Sequence, residues 1–319
     1  MRRVICIALI LFSCYNLSGQ DSLLKVKRPF FQPATELDKS RVRLINVSAA
    51  VSYTGLMLAL NEYWYKDFPR SSFHFFNDNR GWNQVDKVGH VWTSYREGLT
   101  MIKLYRWAGV EDKKAIWIGG LMGSVFQTSI EILDGYSAQW GASPGDLLAN
   151  SIGSALVIGQ ELAWQEQKFF FKFGIGYSKY NNYPEFIQNR VDDLYGTGLA
   201  ERILKDYNKQ SYWLSFHPSV LGFGHSMPKW LNISVGYGAE DVFGGLKNEW
   251  TVNDEIINVS RTYPRQREYY LGLDIRLSEI PVRNKHLHNI LVALDFIKFP
   301  LPAICLKSNG DFVFKALSL

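Results

Sequence analysis

The sequence predicts an α+β protein: an N-terminal four-helix bundle with a polar core, followed by an antiparallel β-sheet or partial β-barrel half. Three features carry that expectation. Between residues 40 and 168 uncharged runs of helical length alternate with short polar breaks, at Phe169 the apolar period switches to two, and ionisable residues recur inside the helical runs. The chain has 319 residues, 47% hydrophobic and 15% aromatic. That is more than one core usually fills and argues against disorder, so two halves are expected. The formal charge is only +5, with Lys and Arg scattered among acids. No basic run carries the footprint of a nucleic-acid binder, and no nucleic-acid partner is expected.

Residues 1–20 read as a signal peptide. Arg2 and Arg3 form a positive start, residues 4–12 an apolar run too short to cross a bilayer, and Leu17, Ser18, Gly19 and Gln20 a small-residue exit. Cleavage near Gln20 is expected; the alternative is lipid attachment at Cys14, in Leu11-Phe12-Ser13-Cys14. Cys6 and Cys14 lie in this leader, so the mature chain keeps only Cys305, which excludes an internal disulfide and a cysteine-based zinc site. Cys305 sits in an apolar stretch, 301–306, and is expected as a small core residue. Residues 21–39, with Pro29 and Pro33, read as a linker.

The helical region is expected over residues 40–168. Its first uncharged stretch, 44–61, has the threshold length for a membrane-crossing helix and equally suits a core helix; Tyr63, Trp64 and Tyr65 after it suit a membrane interface. A polar loop, 68–82, precedes helices at 84–107, 113–133 and 144–168, the last with Ser143 as N-cap and Pro144 at its first position. Gly119, Gly120, Gly123 and Ser124 in the third helix, and Ala149, Gly153 and Ser154 in the fourth, would let backbones approach closely.

A β-rich region is expected over 169–319. Phe169, Phe171, Phe173, Ile175 and Tyr177 alternate with small or polar residues, as do Ile233, Val235, Tyr237 and Ala239, and Tyr269, Leu271, Leu273 and Ile275. Weaker alternation marks 290–299 and 312–319, and one helix is expected at 186–208. About six strands result, short of the roughly eight of a closed bacterial barrel, so an open sheet or partial barrel is favoured.

The chemistry-bearing residues gather in the helices. Asp86, Lys87 and His90 open the second, and Asp86 and His90, four apart, share a face. Glu131 and Asp134 end the third; Ser143, Asp146 and Asn150 line the start of the fourth. Three explanations stand side by side. Asp86, His90, Glu131 and Asp134 could ligate a divalent metal, since carboxylates and His at helical spacing build such sites in bundles. His90, Glu131 and Asp146 could serve as catalytic acid and base. Or the set is a satisfied network fixing helix register, with Lys87 or Arg96 supplying positive charge. His217, His225, His286 and His288 read as loop or surface residues. No Gly-x-Ser-x-Gly, Walker or dinucleotide motif is present.

Asp86-Lys87 with His90, then Glu131 and Asp134, then the run from Ser143 through Asp146 and Asn150 to Gly153, resemble the YfiM-like family of predicted periplasmic lipoproteins, a family of unknown function. The resemblance covers residues 86–163, and the order of motifs is distantly similar to that of VanZ-like membrane proteins. Tyr212-Trp213-Leu214-Ser215 and Pro228-Lys229-Trp230-Leu231-Asn232 resemble extended family members of Bacteroidetes-type bacteria. The resemblance implies an exported protein of the periplasm or outer membrane of a Gram-negative bacterium, with a helical core, and supplies no reaction. Asn150 stands where an acid is expected in the smaller relatives. The expectation is therefore a membrane-associated envelope protein with a non-enzymatic, structural or maintenance role, its partners membrane lipid or other envelope proteins. The alternative is a hydrolase or transferase acting on an envelope lipid or glycan.

Overall fold

The computed structural model describes residues 30, 32–66, 68–176 and 180–318. The leader, most of the linker, and with them the choice between cleavage near Gln20 and lipidation at Cys14 lie outside the described residues, as do the side chains of Tyr63 and Trp64.

Helix α1, Lys39–Leu60, starts at Asp38, whose side chain accepts hydrogen bonds from the backbone N–H groups of Ser40 and Arg41. It touches the rest of the protein mainly around Ile45, which packs with Met101, Tyr105, Ala108 and Ala115. Helices α2, Val85–Trp107, α3, Asp112–Asp134, and α4, Pro144–Trp164, form the inner bundle. Ser143 caps α4 and Pro144 opens it, as the sequence predicts. Tyr95, Leu99, Ile102, Ile116, Val157 and Ile158 make the bundle core. The small residues act as expected: a Cβ at Gly123 would run into the Ser94 carbonyl of α2, and one at Gly153 into the Val91 carbonyl.

The second half is an antiparallel sheet of β1, Phe169–Ile175, β2, Gln210–Phe216, β3, Leu231–Glu240, β6, Gln266–Ile275, β7, Leu301–Lys307, and β8, Phe312–Ser318, in the order β1-β2-β3-β6-β7-β8. A separate ribbon pairs β4, Glu249–Val252, with β5, Glu255–Asn258. Its two-residue turn, Asn253-Asp254, has φ of 50° and 64°, which the right-handed strand twist requires of such turns. The six-stranded sheet is not closed; the free edge of β1 receives residues 296–298, with Phe173 N–H donating to the Phe296 carbonyl at 2.9 Å.

Two expected elements differ. Residues 290–299 are not a strand: helix α7, Lys285–Leu294, occupies the first half of them, because Asn284 caps the N–H groups of His286 and Leu287 and Leu287, Ile290, Leu291 and Leu294 recur at helical spacing. The expected helix at 186–208 is two, α5, Glu185–Tyr195, and α6, Leu199–Lys205, parted by Gly196 at φ 74°.

The sheet is inverted relative to that of a water-soluble protein. Val235, Leu271, Ile304 and Phe314 stand side by side across four strands and are 43%, 54%, 47% and 69% exposed. The opposite face buries Lys172, Trp213, Ser234, Asp274 and Cys305. At the other end of the apolar face, Phe171 and Phe173 dock the sheet on α2, with ring centroids 5.9 Å from Tyr95 and 5.2 Å from Trp92. Cys305 is buried as expected, beside Glu268 rather than among apolar groups alone; burial and that carboxylate push its thiol up to about 11.

Candidate functional site

Helical spacing places the site residues on three adjoining ends. Asp86 lies in the first turn of α2 with His90 one turn on, Asp146 in the first turn of α4 with Asn150 one turn on, and Glu131 in the last turn of α3. The two aspartates thus sit where the helix dipole favours negative charge. Lys87 Nζ lies 2.6 Å from Asp78 Oδ2, 2.8 Å from Asp146 Oδ2 and 3.2 Å from Asp86 Oδ2. His90 Nδ1 donates to Asn150 Oδ1 at 3.1 Å. His90 Nε2 then faces Asp146 Oδ1 at 3.7 Å, Glu131 Oε1 at 3.8 Å and Asp86 Oδ1 at 3.9 Å. Ser143 donates its backbone N–H to Glu131 Oε2 at 2.9 Å and its hydroxyl to Asp78 Oδ1.

So Asp86, Lys87, His90, Glu131, Ser143, Asp146 and Asn150 do meet. Asp134 does not join them at His90: it accepts a hydrogen bond from Tyr65 at 2.6 Å, because at the end of α3 it is within reach of the turn, Asn61–Tyr65, that follows α1. Asp146 instead groups with Asp86 and His90, their ligand atoms lying within 4.8 Å of one another. Lys87 supplies the positive charge; Arg96 lies over the Phe296 ring at 5.5 Å. Asp78 and Tyr207, which donates to Asp86 Oδ1 at 3.0 Å, escape a sequence reading. Asp78 belongs to a polar loop and Tyr207 to a distant connector, so no periodicity marks either. His217 accepts from Ser219 N–H in its own turn, and His225, His286 and His288 are exposed, the last two on α7 rather than in a turn.

Charge is unevenly shared in the cluster. Burial opposes ionisation of Asp86, but His90 and Lys87 together with the Tyr207 hydroxyl outweigh it and hold the carboxyl below its ordinary range. Burial, reinforced by the Asp86 charge, pushes Asp146 up to about 6. Burial works against protonating His90, yet the three carboxylates around it raise its pKa. Glu131 Oε1, Asp146 Oδ1 and Asn150 Nδ2 are buried and have no hydrogen-bond partner among the described residues. A cavity of about 470 Å³ between α2 and the sheet reaches Asp86 and His90 and is walled by Trp92, Phe173, Tyr207 and Phe296.

Two helical turns beyond His90 on α2, burial raises Glu97 to about 7, against the hydrogen bond that Gln127 donates at 3.0 Å. The fold therefore prefers neutral Glu97, and stability falls as pH rises from about 4.5, where the unfolded chain ionises, to about 7. Glu97→Gln should flatten that part of the Tm profile and raise Tm at pH 8. A variant profile parallel to that of the wild type would refute this assignment.

A second polar group, missed by the sequence reading, lies on the buried sheet face. Lys172 Nζ is 2.9 Å from Asp274 and 3.3 Å from Asp295, and Lys298 Nζ is 3.6 Å from Asp274 and 4.8 Å from the centre of the Trp213 ring.

Fold and site together define a class: an α+β protein in which three helices enclose a His–carboxylate cluster. Within it, residues 74–159 match the model of the predicted periplasmic lipoprotein family DUF2279. The match takes in the Asp86, Glu131 and Asp146 motifs and the loop bearing Asp78, and leaves out α1 and the whole sheet. No curated protein and no solved structure matches the chain.

Proposed function

We propose that this protein works in the bacterial envelope with its apolar outer surface against lipid, in a non-enzymatic structural or maintenance role. The observation that carries the reading is the inverted polarity: the sheet turns Leu271, Ile304 and Phe314 outward while burying Lys172, Asp274 and Lys298. Exposed apolar area on that scale marks a membrane or protein interface, and an apolar exterior around a polar interior is the arrangement of lipid-facing β structure. The helices agree. Val51 and Leu58 on α1, Leu121 and Val125 on α3, and Leu148 and Ile152 on α4 are all exposed, and Lys39–Leu60 and Asp112–Asp134 are long and apolar enough, by length and composition, to cross a membrane. The description of the family matching residues 74–159 agrees with an exported location.

Fractionation of cells expressing the full chain tests this. The protein should stay in the membrane pellet through high salt and alkaline carbonate and leave it with detergent. Recovery in the soluble periplasmic fraction without detergent would overturn the reading. The cavity reaching Asp86 and His90 favours a second one, a hydrolase or transferase acting on an envelope lipid or glycan. Its mark would be turnover of an envelope lipid or glycan extract that His90→Ala abolishes while circular dichroism stays unchanged.

A further inference from the structure

We infer that the junction of α2, α3 and α4 binds one divalent first-row transition ion, of the zinc or manganese class, through His90 Nε2, Asp86 and Asp146, with Glu131 beside them. This stands apart from the lipid contact proposed above. Four observations lead to it.

The spacing is the first. His90 Nε2 lies 3.7 to 3.9 Å from three carboxylate oxygens, too far for the short charge-assisted hydrogen bonds an imidazolium would make. Two ligand atoms sharing an ion at about 2.1 Å stand about 3.4 Å apart at a tetrahedral angle; a few tenths of an ångström bring each carboxylate to that spacing from His90, and the ligand atoms, within 4.8 Å of one another, close by up to about 1.4 Å to seat one.

The second is the presence of unpartnered atoms. Glu131 and Asp146 are 2% and 4% exposed, and the one oxygen of each without a hydrogen bond is the one turned to His90. Their other oxygens are held, by Ser143 N–H and by Lys87. A buried carboxylate oxygen with no donor at hydrogen-bond distance is costly unless a cation lies beside it.

The tautomer is the third. In the neutral imidazole, donation from Nδ1 to Asn150 leaves the Nε2 lone pair facing the carboxylates, which is how a metal-ligating histidine is held. Asn150, anomalous for a carboxylate mechanism, is thus the residue that orients the ligand.

Charge is the fourth. Asp78, Asp86, Glu131 and Asp146 gather around Lys87 and His90, four carboxylates against two cations among the described residues, so the cluster stays anionic even with a protonated imidazole. A divalent ion offsets most of that excess. A nitrogen ligand among oxygens favours zinc or manganese over calcium or magnesium, which prefer all-oxygen sites. Since the ligands come from three helices, the ion would tie their ends together.

The test uses the full chain purified in detergent without chelator. Elemental analysis should find one equivalent of a divalent transition metal. After stripping with EDTA, Co²⁺ should produce visible ligand-field bands, and Zn²⁺ or Mn²⁺ should raise Tm. His90→Ala and Asp146→Asn should weaken Zn²⁺ binding by at least about 100-fold, Asn150→Ala by roughly 10- to 100-fold, and Asp134→Asn should leave it unchanged. If the ligand variants do not fold, the wild-type cobalt spectrum and the zinc-dependent Tm decide. Metal-free wild type whose Tm ignores EDTA, Zn²⁺ and Mn²⁺ would overturn the inference and assign the charge balance to bound protons. Zn²⁺ binding unchanged in His90→Ala would overturn it as well.

Discussion

Asp274→Ala should destabilise the protein by about 3–5 kcal/mol, because it leaves two buried ammonium groups without their shared counter-ion. Asp274, Lys172 and Lys298 are all fully buried, and Asp274 contacts both lysines. What remains is partial: Lys172 keeps the Ile275 carbonyl at 2.7 Å and the more distant Asp295, and Lys298 keeps the carbonyls of Leu273 and Phe299. Carbonyls solvate an ammonium but do not neutralise it. Burial already pulls Lys298 down to about 8, with Asp274 acting against that pull. A folded pKa below the unfolded value means the fold favours the neutral amine, so stability rises with pH between about 8 and the unfolded value of 10.5. Loss of Asp274 should widen this window, and the deficit should shrink from pH 7 to pH 10. Chemical denaturation in detergent at both pH values measures it. A loss under about 1 kcal/mol, or one independent of pH, would show that the buried charges are neutralised another way. Asp274→Leu combined with Lys172→Met, Lys298→Met and Asp295→Asn, the last to neutralise the other carboxylate that Lys172 pairs, should recover much of the loss, since neutral replacement of a whole buried ionic group is often tolerated.

Gly123→Ala should cost about 1–3 kcal/mol and disturb the His90 cluster as well. Alanine is the better helix former by about 1 kcal/mol, so propensity alone predicts stabilisation. Packing outweighs it: the added methyl would overlap the Ser94 carbonyl, and a backbone atom inside α2 cannot step aside as a flexible side chain could. Relief requires α3 to move off α2, which carries Glu131 away from His90. Gly159→Ala is the matched control. Nothing lies within 4 Å of a Cβ there, on the outer face of α4, so that change should stabilise by a few tenths to about 1 kcal/mol. Equal melting shifts in the two variants would refute the close-contact account.

The cluster was legible in the sequence because α2 carries Asp86 and His90, and α4 carries Asp146 and Asn150, each pair at a spacing of four, and helical geometry alone puts such pairs on one face. The spacing could not say how the three faces turn toward each other. That is why Asp134, one turn from Glu131, was grouped with the ligands although Tyr65 holds it, and why Asp78 was overlooked. The strand at 290–299 was misread because apolar residues are dense there, and a short apolar run reads as strand or helix until its cap is recognised. The Lys172–Asp274–Lys298 group stayed invisible for a different reason. Its members lie on three separate segments, and a lone charge in an alternating strand ordinarily marks the solvent side.

Sequence alone determined the local order: where helices give way to strands, which residues share a helix face, where the small residues permit close packing, and that Cys305 is the one cysteine after residue 14. These depend on period and composition, which act over a few residues. Tertiary structure decided direction. An alternating strand has two faces, and its period is the same whether the apolar or the polar one is buried. Only the assembled sheet, docked by Phe171 and Phe173 on α2 and joined on its polar face by Asp295 and Lys298 from the segment along the β1 edge, turns the charged residues inward and leaves the apolar ones outside. Likewise, only the meeting of three helix ends makes scattered carboxylates face one imidazole nitrogen.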